Sequence, residues 1–334
     1  MLIADLLPQV ENWLDRPTLW LLGLVLLFLA VTYVIMVILR RQSDATVNPA
    51  IVDMLSGRIR AWWMMCAILV ASFQLGYTTS VVLFALVSFW ALREYVTMTP
   101  TRRADHRALF WVFFFFMPLQ YWLVGMDSPL FQLAIPVFAS LFIPIRIAFS
   151  GDHKRFLERS AKIQAGLLIC VYSLSHAPAL LHLELQTYNQ ATGAWSSWTG
   201  SNAGLLFYFV LMVQLSDVAQ YTWTALLGRH VIAPAINSSR SWEGFFGGIA
   251  TAALMGILLR WVTPFGIWEA SCMAMAISVM GFSGRMVMSA IKRDRGVTDT
   301  GTLVTGHPGV LDRIDSLCFA APVFFHLTKF FYDG

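Results

Sequence analysis

The residues best suited to chemistry crowd into the last third of the chain. Ser289, Lys292 and Arg293 are followed by Asp299, by the turn Gly306-His307-Pro308-Gly309, and by Asp312, Arg313 and Asp315. Asp312 and Asp315 are three residues apart, so on a helix they share a face. Carboxylates with few competing ligands suit Mg²⁺, which keeps waters and substrate phosphates in its shell. Lys and Arg beside such a site suit a polyphosphate. The plain alternative is a solvated loop whose positive charge only sets topology. Three acids and a Gly-His-Pro-Gly turn exceed what topology requires, and the reading favours a site.

Two further polar segments lie upstream. Asn237-Ser238-Ser239-Arg240-Ser241-Trp242-Glu243-Gly244 precedes Gly247-Gly248. Hydroxyls and a guanidinium ahead of a helix start can cradle phosphate, with Ser239, Arg240 and Ser241 as the contacts. Ser241 could equally be an N-cap, and the glycines could serve close helix packing. The other segment, Ser216 to Tyr221, places Asp217 inside an apolar stretch. A carboxylate there is costly in lipid and should face a polar cavity.

The elements that must position these residues are membrane helices. The 334-residue chain is 57% hydrophobic and 13% charged, against about a quarter charged in soluble domains. A net charge of +4 does not indicate nucleic acid, because the basic residues form no single stripe. The four cysteines lie in or beside apolar stretches without a CxxC pair, which excludes a disulfide framework or zinc site as the leading reading. Asp5, Glu11 and Asp15 stand where a secretory signal would be positive.

A helix needs about 20 apolar residues to span a bilayer. The expected class is therefore an all-α polytopic membrane protein of about ten spans, nine to eleven allowing for tight turns. They fall near 18–39, 61–77, 79–97, 108–126, 129–149, 163–183, 202–226, 245–263, 266–288 and 316–332. Residues 1–16 read as an amphipathic interfacial helix. Residues 17–200 read as amino-terminal spans, and 201–334 as a carboxy-terminal catalytic region. Alternate loops hold twenty of the 23 Lys and Arg residues. The positive-inside rule then places those loops in the cytoplasm and both termini outside. Trp195 and Trp198, in the outer loop from Leu183 to Ser201, read as interface anchors.

At the polar loop the sequence resembles the phosphatidate cytidylyltransferase (CDP-diacylglycerol synthase) family. That family's signature runs Ser-x-x-Lys-Arg, Lys-Asp, Pro-Gly-His-Gly-Gly and Asp-Arg-x-Asp. Ser289, Lys292, Arg293, Asp299, Gly306, His307, Gly309, Asp312, Arg313 and Asp315 match it in order and spacing. Trp242-Glu243-Gly244, Gly247-Gly248, Asp217 and Gly228 resemble the family's preceding motifs, so the likeness covers about 205–332. The chain departs from the pattern at Arg285, where the family carries a metal-binding Asp. It departs also at Thr298, Pro308, Ser238 and Arg240.

The resemblance implies transfer of a cytidylyl group from CTP to phosphatidic acid or a related lipid phosphate, with Mg²⁺ as cofactor. It implies metal ligation by Asp312, with Asp299 and Asp315 ligating or orienting. It further implies phosphate binding by Lys292, Arg293 and Arg313, a nucleotide approach at Gly306 to Gly309, and Asp217 lining the cavity. Arg285 would stand in for a second cation. A bacterial inner-membrane setting, membrane lipids as surroundings and a homodimer as one open assembly complete the expectation. Two alternatives remain: a diverged member that binds lipid or a partner without CTP turnover, and a CTP-dependent lipid kinase.

Overall fold

The computed structural model describes residues 15–40, 49–189, 193–297 and 309–333. Among them run ten helices: α1 (Arg16–Arg40), α2 (Pro49–Gln74), α3 (Tyr77–Met98), α4 (Arg103–Gly125), α5 (Phe131–Ala148), α6 (Phe156–His182), α7 (Asn202–Leu227), α8 (Trp242–Leu258), α9 (Ile267–Asp294) and α10 (Leu311–Tyr332). Each expected span has its helix. Eight are long and apolar enough to cross a membrane, while Trp62–Gln74 and Trp242–Leu258 are shorter apolar stretches. The chain is a polytopic integral membrane protein. Most of the expected interfacial helix lies outside the described residues. The chain forms two compact units, Met1–Ser80 and Val81–Gly334, and the chemistry belongs to the second.

A proline shapes one amino-terminal span of that unit. A wide π-turn occupies Val112–Phe116 just before Pro118. A proline lacks the N–H for the carbonyl four residues back and its ring crowds that carbonyl, so the helix widens there. α4 and α6 are joined near their polar ends by a buried ion pair. Arg159 donates from Nε and Nη2 to Asp105 at 2.8 and 2.5 Å.

α7, α8, α9 and α10 pack as neighbours, α7 against α8 and α9, and α9 against α10. Phe209 of α7 stacks on Phe324 of α10 with ring centroids 4.9 Å apart. Ser201 caps α7 and Ser241 caps α8, each accepting from the N–H three residues on, Gly204 and Gly244.

Two small hairpins lie between the helices of the all-α fold. β1 (Gln186–Asn189) pairs antiparallel with β2 (Ala194–Ser197), and β3 (Val231–Ala233) with β4 (Asn237–Ser241). A lone two-stranded hairpin is marginal in water. The first is tied down where Trp198 N donates to Leu185 O at 2.8 Å and Thr187 Oγ1 to Pro264 O at 3.1 Å. Trp195 therefore sits on a strand against Tyr188. The second hairpin delivers Ser241 to its capping position.

Candidate functional site: an acid–guanidinium cluster beneath a basic rim

Three glycines let the carboxy-terminal helices approach. A Cβ at Gly284 of α9 would stand 2.7 Å from the carbonyl oxygen of Asp315 and 2.8 Å from the Phe319 ring. At Gly248 of α8 it would meet the Gln220 side chain at 2.2 Å, and at Gly244 the Thr224 hydroxyl of α7. Gln220 in turn donates to the carbonyl and hydroxyl oxygens of Ser278 at 3.2 and 3.1 Å, joining α7 to α9.

This packing brings Arg285 between two acids. Its Nη2 makes a short hydrogen bond to Asp217 Oδ2, donates to Ser316 Oγ at 3.2 Å, and lies 3.7 Å from Asp315 Oδ1. Ser316 donates its hydroxyl to Asp217 Oδ2 at 3.0 Å, and its backbone N–H to Asp315 Oδ1 at 2.6 Å. Asp217, Asp315 and Ser316 are buried, and Arg285 is half-buried. Two carboxylates on one guanidinium leave formal negative charge in a low-dielectric site, where charge interactions are strong.

About two turns further along α9 and one turn back along α10, Lys292 Nζ pairs with Asp312 Oδ1 at 2.9 Å. Ser289 Oγ accepts from Asn237 Nδ2 at 3.1 Å, and Arg293 Nε donates to Ile236 O at 3.3 Å. The β3–β4 hairpin thus lies against the end of α9. Ser239 is exposed and bonds Asn237 Oδ1 through both its N–H and its hydroxyl. Arg240 is buried, and Ser241 Oγ, besides capping α8, donates to Thr224 Oγ1 at 3.3 Å. Gly309 is buried and Arg313 half-buried at the start of α10.

The structure therefore brings Asp217, Lys292, Asp312 and Asp315, carried on three helices, into one region. It sets Ser289, Arg293 and Ser239 at the neighbouring hairpin. Asp299, Gly306 and His307 lie outside the described residues. Among the described residues no three acidic, His or Cys side chains converge as a metal cage. The Asp217 and Asp315 carboxylates do not fit a protein-held Mg²⁺, because the Arg285 guanidinium already occupies the space between them.

Sequence reasoning missed three contributors. Ser316 beside Asp315 carries no signal of its own. Glu243 clasps the loop after α7, accepting from His230 N at 3.2 Å and pairing with His230 Nδ1 at 2.6 Å. Glu94 of α3 accepts from the N–H of Val310, the N-cap of α10, and from that of Leu311, its first residue. A lone glutamate in an apolar span was the signal available for Glu94. A separate cavity of about 890 Å³, lined by Trp195, Arg260, Trp268, Glu269 and Tyr332 among others, lies toward the opposite end of α9. Sixteen residues separate Glu269 from Arg285 along that helix, roughly 24 Å of rise.

Fold and site define a polytopic membrane protein with an internal acid–guanidinium cluster under basic side chains. The profile of the Cytidylyltransferase family matches residues 56–331, and the chain belongs to that family. It is 36% identical over 277 residues to Uncharacterized protein YnbB of Escherichia coli (strain K12), covering 82% of this chain and 87% of that one. It is 34% identical over 120 residues to the phosphatidate cytidylyltransferase of Staphylococcus haemolyticus (strain JCSC1435), covering 35% of this chain and 46% of that one. Over 121 residues it is 36% identical to the phosphatidate cytidylyltransferase of Staphylococcus epidermidis (strain ATCC 12228 / FDA PCI 1200), again 46% of that protein. The matched stretch spans less than half of these two synthases.

Proposed function

We propose that the protein is a membrane cytidylyltransferase that joins CTP to phosphatidic acid or a related lipid phosphate. A phosphate oxygen of the lipid attacks the α-phosphorus of CTP. The bond from that phosphorus to the bridging oxygen of the β-phosphate breaks, and pyrophosphate leaves with the electron pair. CDP-diacylglycerol remains in the membrane. Both reactants are anionic, so the chain's task is to orient them and offset their charge.

The observation that carries this reading is the convergence of Asp217, Arg285, Lys292, Asp312 and Asp315 from helices far apart in sequence, within a chain of this family. Lys292, Arg293 and Arg313 would grip phosphates. Arg285 would act as a built-in cation at the Asp217–Asp315 pair, and Asp312 would orient Lys292. No step is routed through a metal held at that pair. The alternating Lys and Arg pattern supports a cytoplasmic site and external termini, in what we take to be a bacterial inner membrane.

The test is a turnover assay of the protein in lipid vesicles with CTP and phosphatidic acid. Pyrophosphate and CDP-diacylglycerol are the expected products. Release of CDP would assign a lipid kinase instead. Absence of CTP binding would assign a non-catalytic lipid- or partner-binding member.

A further inference from the structure

α10 opens without a cap of its own. Its N-cap is Val310, whose side chain accepts no hydrogen bond. The first N–H groups of a helix have no partner inside it, and leaving them unmet in a half-buried place is costly. Here a residue from a distant helix meets them. Val310 N donates to Glu94 Oε1 at 3.0 Å, and Leu311 N donates to Glu94 Oε2 at 2.9 Å. Each carboxylate oxygen takes one N–H, and the negative charge sits at the positive end of the α10 dipole. Glu94 lies one turn before the end of α3, 216 and 217 positions away along the chain.

We propose that Glu94 is a positioning residue for the site: it fixes where α10 begins and so where Asp312 meets Lys292. The inference rests on the cytidylyltransferase reading for its catalytic consequence, and on geometry alone for the cap. Asp312 directly follows Leu311, so the fork on Val310 and Leu311 is its nearest restraint on that side. Asp315 is held separately, by the close approach of Gly284. Loosening the fork therefore displaces Asp312 first. The two N–H groups facing Glu94 are also occupied and do not serve as phosphate donors, which leaves that role to the basic side chains. A weaker contact lies on the other flank of residues 298–308, where Arg295 Nη2 comes within 4.0 Å of Glu158 on α6. α3 and α6 carry no residue of the cytidylyltransferase signature, yet both reach its flanks.

Glu94→Ala and Glu94→Gln in the full chain test this, with amide hydrogen exchange as the first readout and steady-state kinetics as the second. In Glu94→Ala, exchange at 310–312 should rise about tenfold while α7 stays unchanged. Glu94→Gln keeps one accepting oxygen and should raise it less, which preserves the test if the alanine variant fails to fold. In turnover, kcat should fall with KM for CTP nearly constant, and Gln should recover part of the loss. Unchanged protection in both variants overturns the proposal, as does a rise shared equally by α7. A native protein without turnover would sink the proposed reaction, and the exchange data would still decide the cap.

Discussion

Arg285 of α9 and Asp217 of α7 are hydrogen-bonded across the helix interface, with Ser316 bridging both. Removing the guanidinium leaves two buried carboxylates facing each other. Breaking a buried pair costs about 3–5 kcal/mol, and the half-exposed guanidinium reduces this to about 2 kcal/mol. Arg285→Ala should therefore lower the melting temperature in detergent, and Arg285→Lys should lower it less. An unchanged melting temperature would mean that the contact contributes nothing.

Arg285→Asp should convert the same place into a cluster of three carboxylates with Asp217 and Asp315. Such a cluster suits a hard divalent cation. Mg²⁺ should then stabilise the variant, by about 2.7 kcal/mol at one hundred times its Kd. The native protein should show no matching stabilisation from that pair of acids. Equal Mg²⁺ responses in the two proteins would contradict the built-in cation.

Asp312→Asn should remove turnover, by a factor on the order of 10² or more, while the fold persists. The amide matches the carboxylate in size and leaves the Glu94 fork untouched, but no longer balances Lys292. A fully active variant would take Asp312 out of the chemistry. Circular dichroism of the same sample confirms that any loss is not unfolding.

Gly284→Ala should separate α9 from α10. Its new methyl would meet a backbone carbonyl that cannot swing aside, and overpacking of this kind costs about 1–3 kcal/mol. Gly248→Ala meets the buried Gln220 at its Cγ and, at 3.1 Å, at its backbone Cα, and Gln220 is itself held by Ser278, so this change should be at least as costly. Thermal unfolding of the two variants side by side ranks them.

The sequence made much of this site readable, for reasons tied to spacing. Asp312 and Asp315 lie three apart and so share a face of one helix. Lys292 and Arg293 end a long apolar span, and Asp217 stood out because a carboxylate within an apolar stretch demands a cause. Arg285 was conspicuous as a departure from a family pattern, but its partner, 68 residues away, was not. Glu94 could be noticed as a glutamate in an apolar span, but its partners could not: no local rule links a glutamate to backbone groups over 200 residues on. The β3–β4 hairpin also escaped notice, because Asn237 to Ser241 lacks the apolar alternation that marks a strand. Its pairing is set by where α7 ends and α8 starts.

The length of α9 acts as a depth gauge. Its 28 residues rise about 42 Å, against a hydrocarbon layer of about 30 Å. Set upright with Ile267 at one boundary of that layer, the helix leaves the hydrocarbon near Val287. Ser289, Lys292 and Arg293 then stand among the headgroups of one leaflet. Lipid phosphates float at that level already, so for the proposed reaction an acceptor need only drift laterally to reach the basic rim, without being lifted from the bilayer.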